Sequence, residues 1–223
     1  MKFRVLVQST LSCISRFCLA LKHQPVEMSS SSLSRQIMDG ILRSSNDNIE
    51  FVPLDHLNFT ITESNIRAEL SKSHGLLESS NIPYRVAEHS KRIFATLVLM
   101  DKIDAIHGLL LEGLTDEHLP LSRDTEFSNL LSQDKAQKFP FENWPESSVR
   151  WFISQQWLFL TPILKTTGQE IIVDSACALP FKEFDYIGGG AAGTVYKAQV
   201  HPAHQQGFNV SALNYESKLH DTE

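Results

Sequence analysis

The sequence predicts a mainly α-helical N-terminal region followed by a short β segment. Three observations predict it. Apolar residues recur at helical spacing through residues 34–164. Residue preference turns toward β-formers after Leu164. The run Gly188-Gly189-Gly190-Ala191-Ala192-Gly193 then lies between two strand-like stretches. The chain accordingly divides into a basic, Ser-rich flexible segment (1–33), a helical domain (34–164) and a β segment with a glycine-rich loop and polar tail (165–223).

Composition narrows the function classes. Of 223 residues, 42% are hydrophobic and 21% charged, the balance of a globular protein. The net charge of −6 is spread along the chain, which argues against a nucleic-acid partner. No apolar run approaches the ~20 residues of a membrane span. Cys13, Cys18 and Cys177 are few and far apart, which implies free thiols in a reducing compartment and no zinc site. The expected location is cytoplasmic or nuclear. Residues 1–27 lack an acidic residue before Glu27 and carry Lys2, Arg4, Arg16 and Lys22, as a mitochondrial targeting segment would. The competing reading is a plain extension, cleaved or not.

Within the helical region, Ile37, Ile41 and Leu42 predict a short amphipathic helix. Residues 51–62 read as extended, because Pro53 breaks a helix. Thr62 is placed to cap a helix carrying Ile66 and Leu70. The clearest periodicity runs over residues 86–111. Val86, Ile93, Leu97 and Met100 share one face, and a second helix holds Ile103, Ile106 and Leu110 before a Gly113 cap. Thr115-Asp116-Glu117 opens one short turn. Residues 121–139 are polar and weakly periodic, and predict a short helix plus connection. Pro145 suits a helix start. Val149, Ile153, Trp157 and Leu160 then line one face, with Phe152 beside them, until Pro162.

This region offers little chemistry. His56, His74, His89, His107 and His118 are scattered, with no HExxH or His-x-His spacing, so each reads as structural. Asp101 and Asp104 read as a solvated face. Trp144, Trp151 and Trp157 read as core or interface, and a protein partner is expected through this part of the chain.

The glycines carry more information. Residues 170–174 are β-rich, and residues 179–187 read as extended. Residues 194–200 alternate Val195, Lys197 and Gln199 against Tyr196, Ala198 and Val200. The glycines therefore join strand to strand. Dinucleotide-binding and Walker A loops feed a helix instead, and no Gly-Lys-Ser/Thr is present. The hairpin pattern G-x-G-x-x-G-x-V remains, filled by Gly188, Gly190, Gly193 and Val195. Glycine lets the backbone lie close to phosphate, its N–H groups donate to phosphate oxygens, and the valine packs on the base. The candidate nucleotide-binding set is Ile187, Gly188, Gly189, Gly190, Ala191, Ala192, Gly193 and Val195. The bland alternative is a glycine-rich hairpin without a ligand.

On those residues, from Phe181 onward, the chain resembles the first strands of eukaryotic serine/threonine protein kinases. Gln156-Trp157-Leu158-Phe159-Leu160-Thr161-Pro162 and Leu179-Pro180-Phe181 further resemble fungal kinase-domain proteins with a helical N-terminal region. The resemblance implies the start of a kinase N-lobe and ATP as ligand, with Mg²⁺ only in a complete kinase domain. Three departures limit it. Ala192 stands where the family places a loop-tip aromatic. Asn214 stands where the third-strand lysine belongs. The His-Arg-Asp, Asp-Phe-Gly and Ala-Pro-Glu motifs are missing. The expectation is a truncated, pseudokinase-like N-terminal part, with no catalytic or metal-binding residues and inactive alone. The alternatives are a helical protein-interaction module with a vestigial β-hairpin, and a nucleotide binder without transfer activity.

Overall fold

Helix α1 (Leu33–Asp39) begins where the Ser32 hydroxyl accepts the Arg35 N–H, and it buries Leu33 and Ile37. The computed structural model of the protein describes residues 32–72, 81–124, 129–141, 143–166, 171–190 and 193–207. The targeting-like segment 1–27, His74 and Asn214 lie outside them. Helix α1 stops at Gly40, so Ile41 and Leu42 do not extend it as their spacing suggests. A Cβ at Gly40 would sit 2.0 Å from the His56 ring. The chain instead turns into strand β1 (Leu42–Arg43), antiparallel to β2 (Glu50–Phe51).

Residues after Pro53 are not extended. They form helix α2 (Leu54–Thr60), with Pro53 at the N-cap in extended backbone. A proline there ends the preceding strand and its fixed φ leads into a helix, which is the opposite of its effect in a helix interior. Helix α3 (Glu63–Leu70) matches expectation. Thr62 Oγ1 accepts the Asn65 N–H at 3.3 Å, and Ile66 and Leu70 are buried.

The long apolar stretch is two helices, α4 (Ile82–His89) and α5 (Lys91–Leu99), broken at Ser90. Helix α5 buries every residue from Ile93 to Val98. A helix apolar on all sides belongs in the middle of a core. It packs against α1, α2, α4 and a later helix, residues Glu146–Gln155. A short 3₁₀ turn (Ile103–Ala105) leads into α6 (Ile106–Leu111). Gly113, at φ +78°, ends it: the Gly113 N–H reaches the Leu110 carbonyl and the Leu114 N–H the Leu109 carbonyl. That pairing is a Schellman cap, closed by buried Leu109 and Leu114.

Residues 121–140 contain strands rather than the expected short helix. β3 (Ser122–Arg123), β4 (Asn129–Leu131) and β5 (Lys138–Pro140) form an antiparallel sheet in that order. Leu130 pairs with Phe139, and both are buried. β4 and β5 each bury one residue and β3 none, too short a run for alternation to be visible in the sequence.

Helix α7 (Glu146–Gln155) follows Pro145 and buries Val149 and Phe152. It gives way at Gln156 to a 3₁₀ turn (Gln156–Phe159). The face predicted from Val149 to Leu160 therefore breaks, and within the turn Gln156 and Phe159 are the buried residues.

The C-terminal part is β-rich. β6 (Leu164–Lys165) lies parallel to β9 (Gln205–Gln206), and β7 (Phe181–Gly190) pairs antiparallel with β8 (Gly193–Val200). Residues 171–174 form no strand. Ile171 and Val173 instead supply side chains to a small second cluster with Leu164, Leu179 and Phe181. The fold is thus a helical body with small sheets, and none closes into a barrel among the described residues. No helix among those residues is long and apolar enough to cross a membrane.

Candidate functional site

The glycine run forms the tip of an antiparallel hairpin, as its flanking sequence predicts. Gly188 pairs with Val195, Gly189 with Thr194 and Gly190 with Gly193. Ala191 and Ala192 lie outside the described residues. Tyr186 pairs with Tyr196, so Ile187 has no partner and forms a bulge.

The two faces of the hairpin differ. Phe184 stacks on Tyr196 at 4.5 Å and on Phe181 at 5.3 Å, while Tyr186 meets Tyr196 edge to face at 5.9 Å. These aromatics share one face, whose base packs on the Leu164–Leu179 cluster. Side chains alternate along a strand. Val195 therefore points opposite Tyr196, while the bulge at Ile187 interrupts the alternation on β7. Ile187 and Val195, next to the glycines, are 63% and 59% exposed. Gly188 follows Ile187 and pairs with Val195. A Cβ there would meet nothing within 4 Å. The fold itself does not require a glycine at 188, and the missing side chain leaves open surface.

Lys197 belongs to the same face, because it is two residues along β8 from Val195. Its register partner is Asp185, and Glu183 opposes Gln199 one step further. This alternation was already legible in residues 194–200, once the hairpin partner was known.

The hairpin base is tied to the helical body. The Ser45 N–H donates to the Phe181 carbonyl at 2.9 Å, and Ser45 Oγ donates to the Lys182 carbonyl at 2.5 Å. His204 Nε2 accepts the Leu54 N–H at 3.0 Å, and its Nδ1 bonds the Pro162 carbonyl at 3.1 Å. Nothing in the sequence marked His204 beyond its three-residue spacing from His201.

The other flagged side chains have structural surroundings or lie in solvent. His56 Nε2 is 2.9 Å from the Gln36 carbonyl and 3.3 Å from Thr60 Oγ1. His118 Nδ1 accepts the Thr115 N–H. His89, His107, Asp101 and Asp104 are exposed. Trp144 packs on Phe141 and Phe152, with the Lys102 ammonium 5.7 Å from its ring. Trp157 is half-buried and Trp151 exposed. No cluster of three His, Cys, Asp or Glu side chains that could hold a metal occurs among the described residues. Cys177 is a buried free thiol. Burial first, then Asp174 and Asp47, push it up to about 11, so it stays protonated and unreactive near neutral pH. Asp116 is half-buried beside the start of α5, where its oxygens accept the Arg92 and Ile93 N–H groups. Burial raises its pKa, and those N–H bonds oppose the rise.

Comparison with protein-family models, with curated proteins and with solved structures finds no match for this chain.

Proposed function

We propose that the β7–β8 hairpin is a phosphate loop for ATP, of the kind serine/threonine protein kinases carry, in a chain that binds the nucleotide without transferring its phosphate. The observation that carries this reading is the pairing of Gly188 with Val195. It sets exposed Val195 beside a glycine that the fold does not itself require, with exposed Ile187 in the adjoining bulge. An adenine laid across those two side chains would shelter apolar surface, a gain of about 1–3 kcal/mol. The phosphates would then run toward the glycine backbone, whose N–H groups have no side chain in front of them. Lys197 places a cation on the same face. Transfer would also need a base and metal ligands. The sequence lacks the His-Arg-Asp and Asp-Phe-Gly motifs that supply them in the kinases it resembles. The test is titration of Mg-ATP into isotopically labelled protein, reading the hairpin amides.

A second reading, a protein-interaction role for the helical region, is favoured by a different feature. A groove of about 510 Å³ opens between α1, β2 and α7, lined by Met38, Ile41, Leu99, Trp151 and Trp157. Met38 and Trp151 are exposed on it. Sedimentation equilibrium tests its simplest form, self-association. Trp151→Ser would weaken a dimer built on this groove, and a monomer at every concentration would exclude that dimer.

A further inference from the structure

A 3₁₀ turn (Pro202–His204) just before strand β9 lies against helix α2, and one imidazole joins residues 150 apart in sequence. His204 is 3% exposed. Both ring nitrogens are committed. Nε2 accepts the Leu54 N–H at 3.0 Å, which requires it to be unprotonated. Nδ1 then carries the proton and donates to the Pro162 carbonyl at 3.1 Å. The ring thus fixes its own tautomer.

The position of Leu54 explains why this bond matters. It is the first residue of α2, where N–H groups have no partner within the helix. Pro53 stands at the N-cap and offers no side-chain acceptor. His204 supplies the acceptor that the local sequence lacks. Immediately after it, Gln205 and Gln206 pair with Leu164 and Lys165, and the Thr166 N–H reaches the Gln206 carbonyl at 3.4 Å. The same turn carries His201, whose N–H donates to the Pro180 carbonyl just before β7. The ring therefore links the end of the hairpin segment to the helical body.

We propose that His204 is a proton-releasable clasp between the β-hairpin segment and helix α2. Proton uptake at Nε2 turns an acceptor into a donor facing the Leu54 N–H. The Nδ1–H bond to Pro162 survives, but the bond to α2 does not. The charged ring also loses its reason to stay buried against the Phe51 ring edge, 5.8 Å away. The groups around the ring act in both directions. His201 and Arg92 oppose its charge, and Asp55 in the first turn of α2 favours it. Burial outweighs them and holds the ring below its ordinary 6.5. The sign follows: stability from the neutral ring is complete above 6.5 and is lost as pH falls through the lowered value. The proposal is independent of nucleotide binding, since it concerns the hairpin's attachment and not its tip.

Nuclear magnetic resonance on the whole labelled chain tests it. The expected result is a neutral Nδ1–H tautomer for His204 at pH 7.5. The Leu54 and His204 signals should shift together at one midpoint below 6.5. Between pH 6.5 and that midpoint, protection of the Thr166 amide against exchange should fall by up to roughly tenfold per pH unit, after correction for intrinsic rates, and level off below it. The variant His204→Gln keeps an acceptor and a donor but does not titrate, so it should dock at pH 7.5 and show no such step. The proposal is overturned if His204 titrates while the Leu54 amide stays still. It is equally overturned if Thr166 protection is the same on both sides of the midpoint, or if His204→Gln retains the step. The wild-type titration decides the matter even if that variant fails to fold.

Discussion

Gln156 holds both sides of the Leu121 backbone: its Oε1 accepts the Leu121 N–H at 2.8 Å and its Nε2 donates to the Leu121 carbonyl at 2.9 Å. Nε2 also reaches the Ile153 carbonyl at 3.0 Å. The side chain is fully buried at the point where α7 becomes a 3₁₀ turn. It ties the loop before β3 to that turn. Gln156→Leu would leave the Leu121 N–H and carbonyl buried without partners. Loss of about 2–4 kcal/mol is expected in urea unfolding. A change under about 0.5 kcal/mol would show that water or a local shift satisfies Leu121.

Asp116 caps helix α5 from outside that helix. Removing it in Asp116→Ala leaves the Arg92 and Ile93 N–H groups unpaired, with an expected cost of about 1–3 kcal/mol. Its pH behaviour is more specific. The folded pKa is raised above 3.8, chiefly by burial, so the folded state holds the proton more tightly than the unfolded chain. That contribution is complete below 3.8 and is lost as pH rises through the folded value. Relative to Asp116→Asn, which does not titrate, the wild type should gain stability as pH falls toward 3.8. Parallel stability curves for the two proteins would contradict the assignment. The His204 ring adds an opposite slope in both proteins, so the difference between them isolates Asp116.

Two glycines should respond in opposite ways to the same methyl group. Gly40→Ala drives a Cβ into the His56 ring, which is held by Gln36 and Thr60. A cost of about 1–3 kcal/mol is expected, and much of it should return in the double variant with His56→Ala. Gly188→Ala meets open space and should change stability by less than about 0.5 kcal/mol. Calorimetric melting of the four proteins makes the comparison. A large loss at Gly188 would mean that the fold, and not a ligand, requires glycine there.

The features legible in the sequence were those written in a few adjacent residues. Thr62 announced the α3 cap, Gly113 the end of α6, and the flanking alternation a hairpin rather than a loop entering a helix. The features hidden in it depend on distant partners. Gly40, where α1 ends, leaves its missing side chain's space to the His56 ring. Helix α2 starts at Pro53 with its cap supplied by His204. Strands β4 and β5 bury one residue apiece and β3 none, so no period exists to be read. The same limit applied to the candidate site. The glycines and Val195 could be picked out by spacing. The bulge at Ile187 and the pairing of Lys197 with Asp185 needed the register of β7 on β8.

The most direct test of the nucleotide reading is a titration of Mg-ATP into the labelled chain, followed at each backbone amide. The account predicts shifts centred on Ile187, Gly188 and Val195. They should saturate in the millimolar range, about 4 kcal/mol of binding, because no third-strand lysine matches the family pattern. Amides of the Gly113 cap should stay still. Shifts absent from the hairpin up to about 10 mM nucleotide, or centred elsewhere, would contradict it.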